Sequence, residues 1–454
     1  MSLAVVLGGG TIVGTLADEN LQIVSVPIVL VALYRLFSTE WRVSWYVPLA
    51  ILALSLALPL LQLVPLPPTL WTALPGRDAV VEVYQAAGIP IGWRPLSLAP
   101  HAAIYAFLSL LPAAALFLIV LPLDTERRFA LLTVPLAFGA FSALIGLVQL
   151  FSGYNPYTAD GQGVVALGFF ANRNHFAALL YVLLPLAVIW TTHQARRSRG
   201  ARWMSIYGGA VVVCLLAGLS VAFSRAGVAL GVVAVLGSAF IVWRTSGTTR
   251  FGRWPVIIVG GGLVIFAIIL QLGLIDLLIQ RSAVDSIRQS IRALTLDAVR
   301  HYWFAGSGFG TFVPIFKSFE PPTAISRFYI NHAHNDWLEL VLEGGILAGL
   351  LMAGFLVWLL TRVWSIWLSR SSPASEEQRM LASAASLSVI LLLLHSLLDY
   401  PLRTEALMAW FAVGCALICT GPESDRRGSS GRRSAHGGSM RSAETAGSAP
   451  LRPD

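Results

Sequence analysis

His334 is the side chain best placed to move a proton. It stands in Asn331-His332-Ala333-His334-Asn335-Asp336, directly ahead of an apolar run that begins at Trp337. A neutral imidazole near physiological pH can take a proton from a sugar hydroxyl. The helix expected to begin there turns its first backbone N–H groups outward, which favours phosphate nearby. Asp336 followed by Glu339 predicts a capping box at that start. His332, His334 and Asp336 are metal-ligand types, but their spacing matches no metal-site pattern, and no metal is expected.

Cations gather in the stretches that accompany this one. Residues 285–303 read as an amphipathic helix, with Ile287, Ile291, Leu294 and Ala298 at helical spacing. Arg288 and Arg292 lie one turn apart and can face one ligand, and forked guanidinium donors suit phosphate oxygens. The same face could instead rest on lipid headgroups. Arg225, in Ser224-Arg225-Ala226-Gly227, falls between two apolar runs with almost no loop. A guanidinium there needs a partner. Either a ligand anion supplies it, or the side chain snorkels to lipid phosphate. Phe169–His175 (FFANRNH) adds Arg173 at the start of another span, where Asn172, Asn174 and His175 can cap the helix. Gly306–Gly310 (GSGFG) is a turn that lacks both the strand context of a dinucleotide loop and the lysine of a phosphate loop.

The elements that must hold these groups are membrane spans. The chain has 454 residues, 56% apolar and 12% charged, with mean hydropathy +0.73. A soluble domain averages about 25% charged residues. Apolar runs predict an all-α polytopic membrane protein with about twelve spans: 3–16, 21–37, 44–66, 101–123, 129–151, 175–193, 204–223, 228–244, 255–278, 337–361, 381–398 and 405–421. The first is short and weak, and is read as a span, not a cleaved signal. Nine spans and an external loop at 67–100 fill 1–278. A large external loop domain follows at 279–336, then three spans to 421, then a disordered tail at 422–454.

The loops carrying Arg127, Arg128, Arg196, Arg197, Arg250, Arg253, Arg370 and Arg379, with the arginine-bearing tail, fall on one side. By the positive-inside rule that side is cytoplasmic, and the candidate site faces the other. Net charge is +8, nearly all from arginine; the single lysine is Lys317. No basic-aromatic patch points to nucleic acid. Cys214, Cys415 and Cys419 lie in apolar runs and read as packing residues. Trp71, Tyr84 and Trp93 in 67–100 can anchor at the interface or stack on sugar rings. A transporter with a polar gate is the competing class. No internal repeat is visible, and the polar groups collect at one face, which favours an enzyme.

Together these pieces resemble the O-antigen ligase family, which also holds polysaccharide polymerases. Four stretches carry the resemblance: Asn172–His175, Ser224–Gly227, Arg288 with the Gly306–Phe312 block, and His334-Asn335 followed by Gly345. Trp93-Arg94-Pro95-Leu96-Ser97 adds to it. The proline usual before the glycine block is replaced by Trp303-Phe304. The resemblance implies a GT-C-like inner-membrane glycosyltransferase of bacteria with its site facing the periplasm. It implies an undecaprenyl-diphosphate-linked glycan donor, and lipid A core or a second lipid-linked glycan as acceptor. It implies His334 as the base and Arg225 and Arg288 on the diphosphate, with no cofactor. By their placement Arg292 and Arg173 are expected to help hold the diphosphate, and Asn335, Asn172, Asn174, His175, His332 and Asp336 to support the site.

Overall fold

The structure is a computed structural model, described for residues 2–10, 15–154, 165–197, 202–246, 281–324, 329–368 and 375–419. The expected span 255–278 and the tail 422–454 lie outside these residues. Helices dominate, as expected. Among the described residues, nine helical stretches are long and apolar enough to cross a membrane, fewer than the twelve expected. They are α2 (Leu16–Phe37), α3 (Val43–Leu61), α6 (Pro100–Ser109) running into α7 (Leu111–Val120), α8 (Thr125–Ser152), α9 (Arg173–Arg196), α10 (Arg202–Val221), α11 (Arg225–Ser246), α14 (Asp336–Trp367) and α15 (Glu376–His395). A shorter apolar helix, α16 (Glu405–Ile418), follows.

Of the expected first span 3–16, residues 11–14 lie outside the described residues; among the rest, Ser2–Leu7 (α1) is helical and Gly8-Gly9-Gly10 ends it, because glycine resists helix. The Gly8 carbonyl accepts from Ala406 N–H at the start of α16, and the Gly9 carbonyl from Ala171 N–H.

One helix organises the bundle. α9 is apolar on every side, so it must be surrounded, and it packs against α8, α10, α11 and α15. Its N-terminus carries Arg173 to the site. Its other end carries His193, Arg196 and Arg197, which contact Glu377, Glu376 and Glu126. Arg173 and the pair Arg196 and Arg197 therefore mark opposite ends of one helix. Gly227 on α11 permits close approach: a Cβ there would sit 2.5 Å from the Ala177 Cβ of α9.

Between the spans lie α4 (Pro68–Thr72), α5 (Asp78–Ala86), α12 (Arg281–Tyr302) and α13 (Phe312–Phe319). No large loop domain is seen among the described residues. α12 and α13 lie directly on α14, around Ile291, Ala298, Tyr302, Phe312 and Leu342. Ile287, expected on the apolar face, is exposed. A two-residue strand pair, Pro65–Leu66 with Arg94–Pro95, was not expected.

Candidate active site

A short loop, 396–404, gathers the distant segments. Asp399 is fully buried there and accepts from His334 Nδ1 at 2.8 Å. Its second oxygen accepts from Asn174 Nδ2 at 2.5 Å, with Arg288 Nη2 at 3.5 Å. Ser224 Oγ donates to Asn174 Oδ1 at 2.8 Å and accepts from Gly227 N–H. Asn172 caps α9 through Asn174 N–H, as expected of it. Burial alone would push the Asp399 carboxyl up. The hydrogen bond from His334 and the nearby His175, His334 and Arg288 outweigh it and hold it well below the usual carboxylate range.

The arginines converge unevenly. Arg173 lies close enough to Arg288 and Arg225 to feel both charges. Arg292 Nη2 donates to the Leu397 carbonyl at 3.1 Å, bracing the loop. His175 is fully buried, edge-on to Tyr400 at 4.8 Å. Among the described residues two non-glycines have positive φ, Phe223 at 48° and His334 at 49°. Each such residue costs on the order of 1–3 kcal/mol and persists only where its surroundings enforce it. One precedes Ser224-Arg225 and the other carries the imidazole.

A second cluster sits two residues away. His332 Nδ1 meets Glu339 Oε1 at 2.8 Å, and Glu339 Oε2 accepts from Ala333 N–H at 2.8 Å. Glu339 thus grips the backbone just before His334. Arg403 reaches Glu343 at 2.7 Å, Glu339 at 3.5 Å and Asp336 at 3.8 Å. Burial works against the charges of His332 and Arg403, but the carboxylates prevail and raise both pKa values. The Tyr400 ring lies between the clusters, 4.3 Å from His332 and 5.0 Å from His334. Burial pushes its hydroxyl up to about 12.

The expected capping box is not formed. Asn335 caps α14 instead, accepting from Trp337 and Leu338 N–H. Asp336 is buried and accepts from Ser396 Oγ and Leu402 N–H, while Glu339 is committed to His332. Asn335 also donates to the Leu397 carbonyl. His332, His334 and Asp336 turn to different partners. Among the described residues no group of three ligand-type side chains is placed for a metal ion.

The glycine block has a structural role. α14 breaks at Gly345, where φ is 60° and ψ −151°. A Cβ there would lie 2.5 Å from both Gly306 N and the Phe304 carbonyl. The break frees carbonyls that need donors. Ser307 N–H serves Leu342, Gly308 N–H serves Glu343, and Gln62 Nε2 also donates to Glu343 O at 2.8 Å. Buried Arg77 donates to the Gly306 and Leu96 carbonyls, between Trp71 and Tyr302. Trp71 is buried and donates to the Pro95 carbonyl, so it has no face for a sugar; Trp93 is exposed.

Asp399, Tyr400, Arg403 and Glu343 were not foreseen. A signal existed: Glu339 and Glu343 lie one turn apart at the start of an apolar helix, and buried acids require partners.

Residues 210–353 match the O-antigen ligase family. Over that stretch the chain is similar to the O-antigen ligase family. The matched stretch holds Ser224–Gly227, α12, the glycine block, His334 and the break in α14; α9 and the 396–404 loop complete the candidate site from outside it. Members of the O-antigen ligase family are transferases of lipid-linked glycans, ligases and polymerases alike. No curated protein matches the chain.

Proposed function

We propose that this protein moves a glycan from undecaprenyl diphosphate to an acceptor hydroxyl at the membrane face opposite its arginine-rich loops. That face is the periplasmic one if positive loops lie inside. One observation carries the reading: Arg173, Arg225 and Arg288 share a site with an imidazole backed by a buried carboxylate.

Asp399 accepts a hydrogen bond from the Nδ1–H of His334, which leaves Nε2 as the proton acceptor. The acceptor hydroxyl gives its proton to Nε2 as its oxygen bonds to the anomeric carbon. The bond from that carbon to the diphosphate breaks, and the electron pair leaves with the diphosphate. The guanidinium groups hold the diphosphate and stabilise the charge that grows on it. With so good a leaving group, positioning and electrostatics carry most of the catalysis.

The test is reconstitution with a lipid-linked oligosaccharide, with and without lipid A core. Product on the core marks a ligase, and a ladder without core marks a polymerase. Failure of the wild-type protein with every acceptor, or full activity in both His334→Ala and Arg288→Ala, overturns the reading.

A further inference from the structure

Tyr400 touches both halves of the candidate site. It is 4% exposed, and its ring meets three imidazoles: His175 of α9 edge-on at 4.8 Å, His332 at 4.3 Å and His334 at 5.0 Å. The side chains of Asn172 and Asn331 hydrogen-bond its hydroxyl. Its backbone N–H donates to Asp399 Oδ1 at 3.1 Å, the oxygen that also accepts from His334 Nδ1 at 2.8 Å.

The two amides belong to different segments. Asn172 is the N-cap of α9, next to Arg173. Asn331 opens the loop that carries His334 three residues later. Cation and base thus reach the site on separate stretches of chain, and the Tyr400 hydroxyl ties one stretch to the other. The imidazole beside its ring stands on backbone at φ 49°, which the surroundings must enforce. A buried hydroxyl already held by two amides is not offered to a substrate, so Tyr400 acts through its neighbours. Base and guanidinium groups act on two bonds of one anomeric carbon, and a shift of about 1 Å between them can cost on the order of 100-fold. We propose that Tyr400 is a positioning residue: its hydroxyl fixes α9 and Arg173 against the loop of the base, and its ring fixes the His334 imidazole. The roles of base and cation rest on the glycan-transfer reading; the tie rests on the contacts.

The experiment reconstitutes full-length protein and measures transfer from a lipid-linked oligosaccharide across donor concentration, per folded molecule. Tyr400→Phe keeps the ring and loses the tie. Its kcat should fall about tenfold with donor KM within about twofold, because the arginines that hold the diphosphate are untouched. Tyr400→Leu loses the ring as well, and its kcat should fall about 100-fold. Asn331→Ala breaks the same tie from the other side. Combined with Tyr400→Phe, it should cost clearly less than the product of the two single losses. A merely structural role would reduce the yield of folded protein and leave kcat per folded molecule unchanged. That result in Tyr400→Phe, a donor KM that rises as far as kcat falls, or single losses that multiply in the pair, overturns the proposal. Should Tyr400→Leu not fold, Tyr400→Phe and the double variant decide. If the wild-type protein transfers and Tyr400→Phe matches it, the positioning role alone falls. If the wild-type protein transfers to no acceptor, the glycan-transfer reading falls and the positioning role with it.

Discussion

His334 with Asp399 and His332 with Glu339 are the same chemical pair built twice, two residues apart. Their surroundings differ in sign. Around His334, one carboxylate faces Arg288, with Arg173 and Arg225 close by. Around His332, one guanidinium faces three carboxyl groups. The first arrangement sets three guanidinium groups near one carboxylate; the second sets three carboxyl groups around one guanidinium. A histidine–carboxylate pair does not by itself define a role. The balance of charge around it does.

The sharpest way to break this contrast is at the imidazoles. His334→Ala should lower transfer about 1,000-fold, within the range general base catalysis supplies, with unchanged membrane insertion. A reconstituted transfer assay checks it, and a loss as large in His332→Ala would erase the distinction between the pairs. The arginines come next. Arg288→Ala should cost about 100-fold in transfer and leave Tm nearly unchanged. Arg403→Ala should do the reverse, because removing one partner of a buried cluster costs about 3–5 kcal/mol. Thermal unfolding in detergent, measured beside activity, separates the two. Glu339→Gln keeps an acceptor for Ala333 N–H but loses the charge facing His332 and Arg403. About a tenfold loss of transfer is expected, far less than for His334→Ala.

The smallest effect is in pH. His332 has its pKa raised in the folded protein, so its contribution to stability is complete below the unfolded value and fades as pH rises through the folded one. The Tm advantage of wild type over His332→Gln should therefore narrow as pH rises above neutrality. Asp399 has the opposite sign: its depressed pKa keeps it ionised, and its contribution is lost only in strong acid. A Tm difference that widens with rising pH would contradict the assignment for His332.

Much of this was legible in the residues. Apolar runs located most spans, because a bilayer demands that length and that chemistry. Arg225 and Arg288 stood out as candidates because each sits where a guanidinium needs a reason. Asp399 was not, because one aspartate in a short loop is ordinary. Its meaning comes from Asn174, Arg288 and His334, separated from it by 225, 111 and 65 residues. The capping box misled because Asn335, one position earlier, offers the shorter reach to the first free N–H groups. The stacking reading of Trp71 failed because a nearby buried arginine and a carbonyl claim that ring.

The break at Gly345 has a bearing on how the protein is made. Gln62 Nε2 donates to the Glu343 carbonyl and Gln62 Oε1 accepts from Phe309 N–H, joining parts of the chain 281 and 247 residues apart. Those bonds cannot form until the ribosome has delivered both. The early part of the polypeptide must keep an amide in waiting while later spans insert.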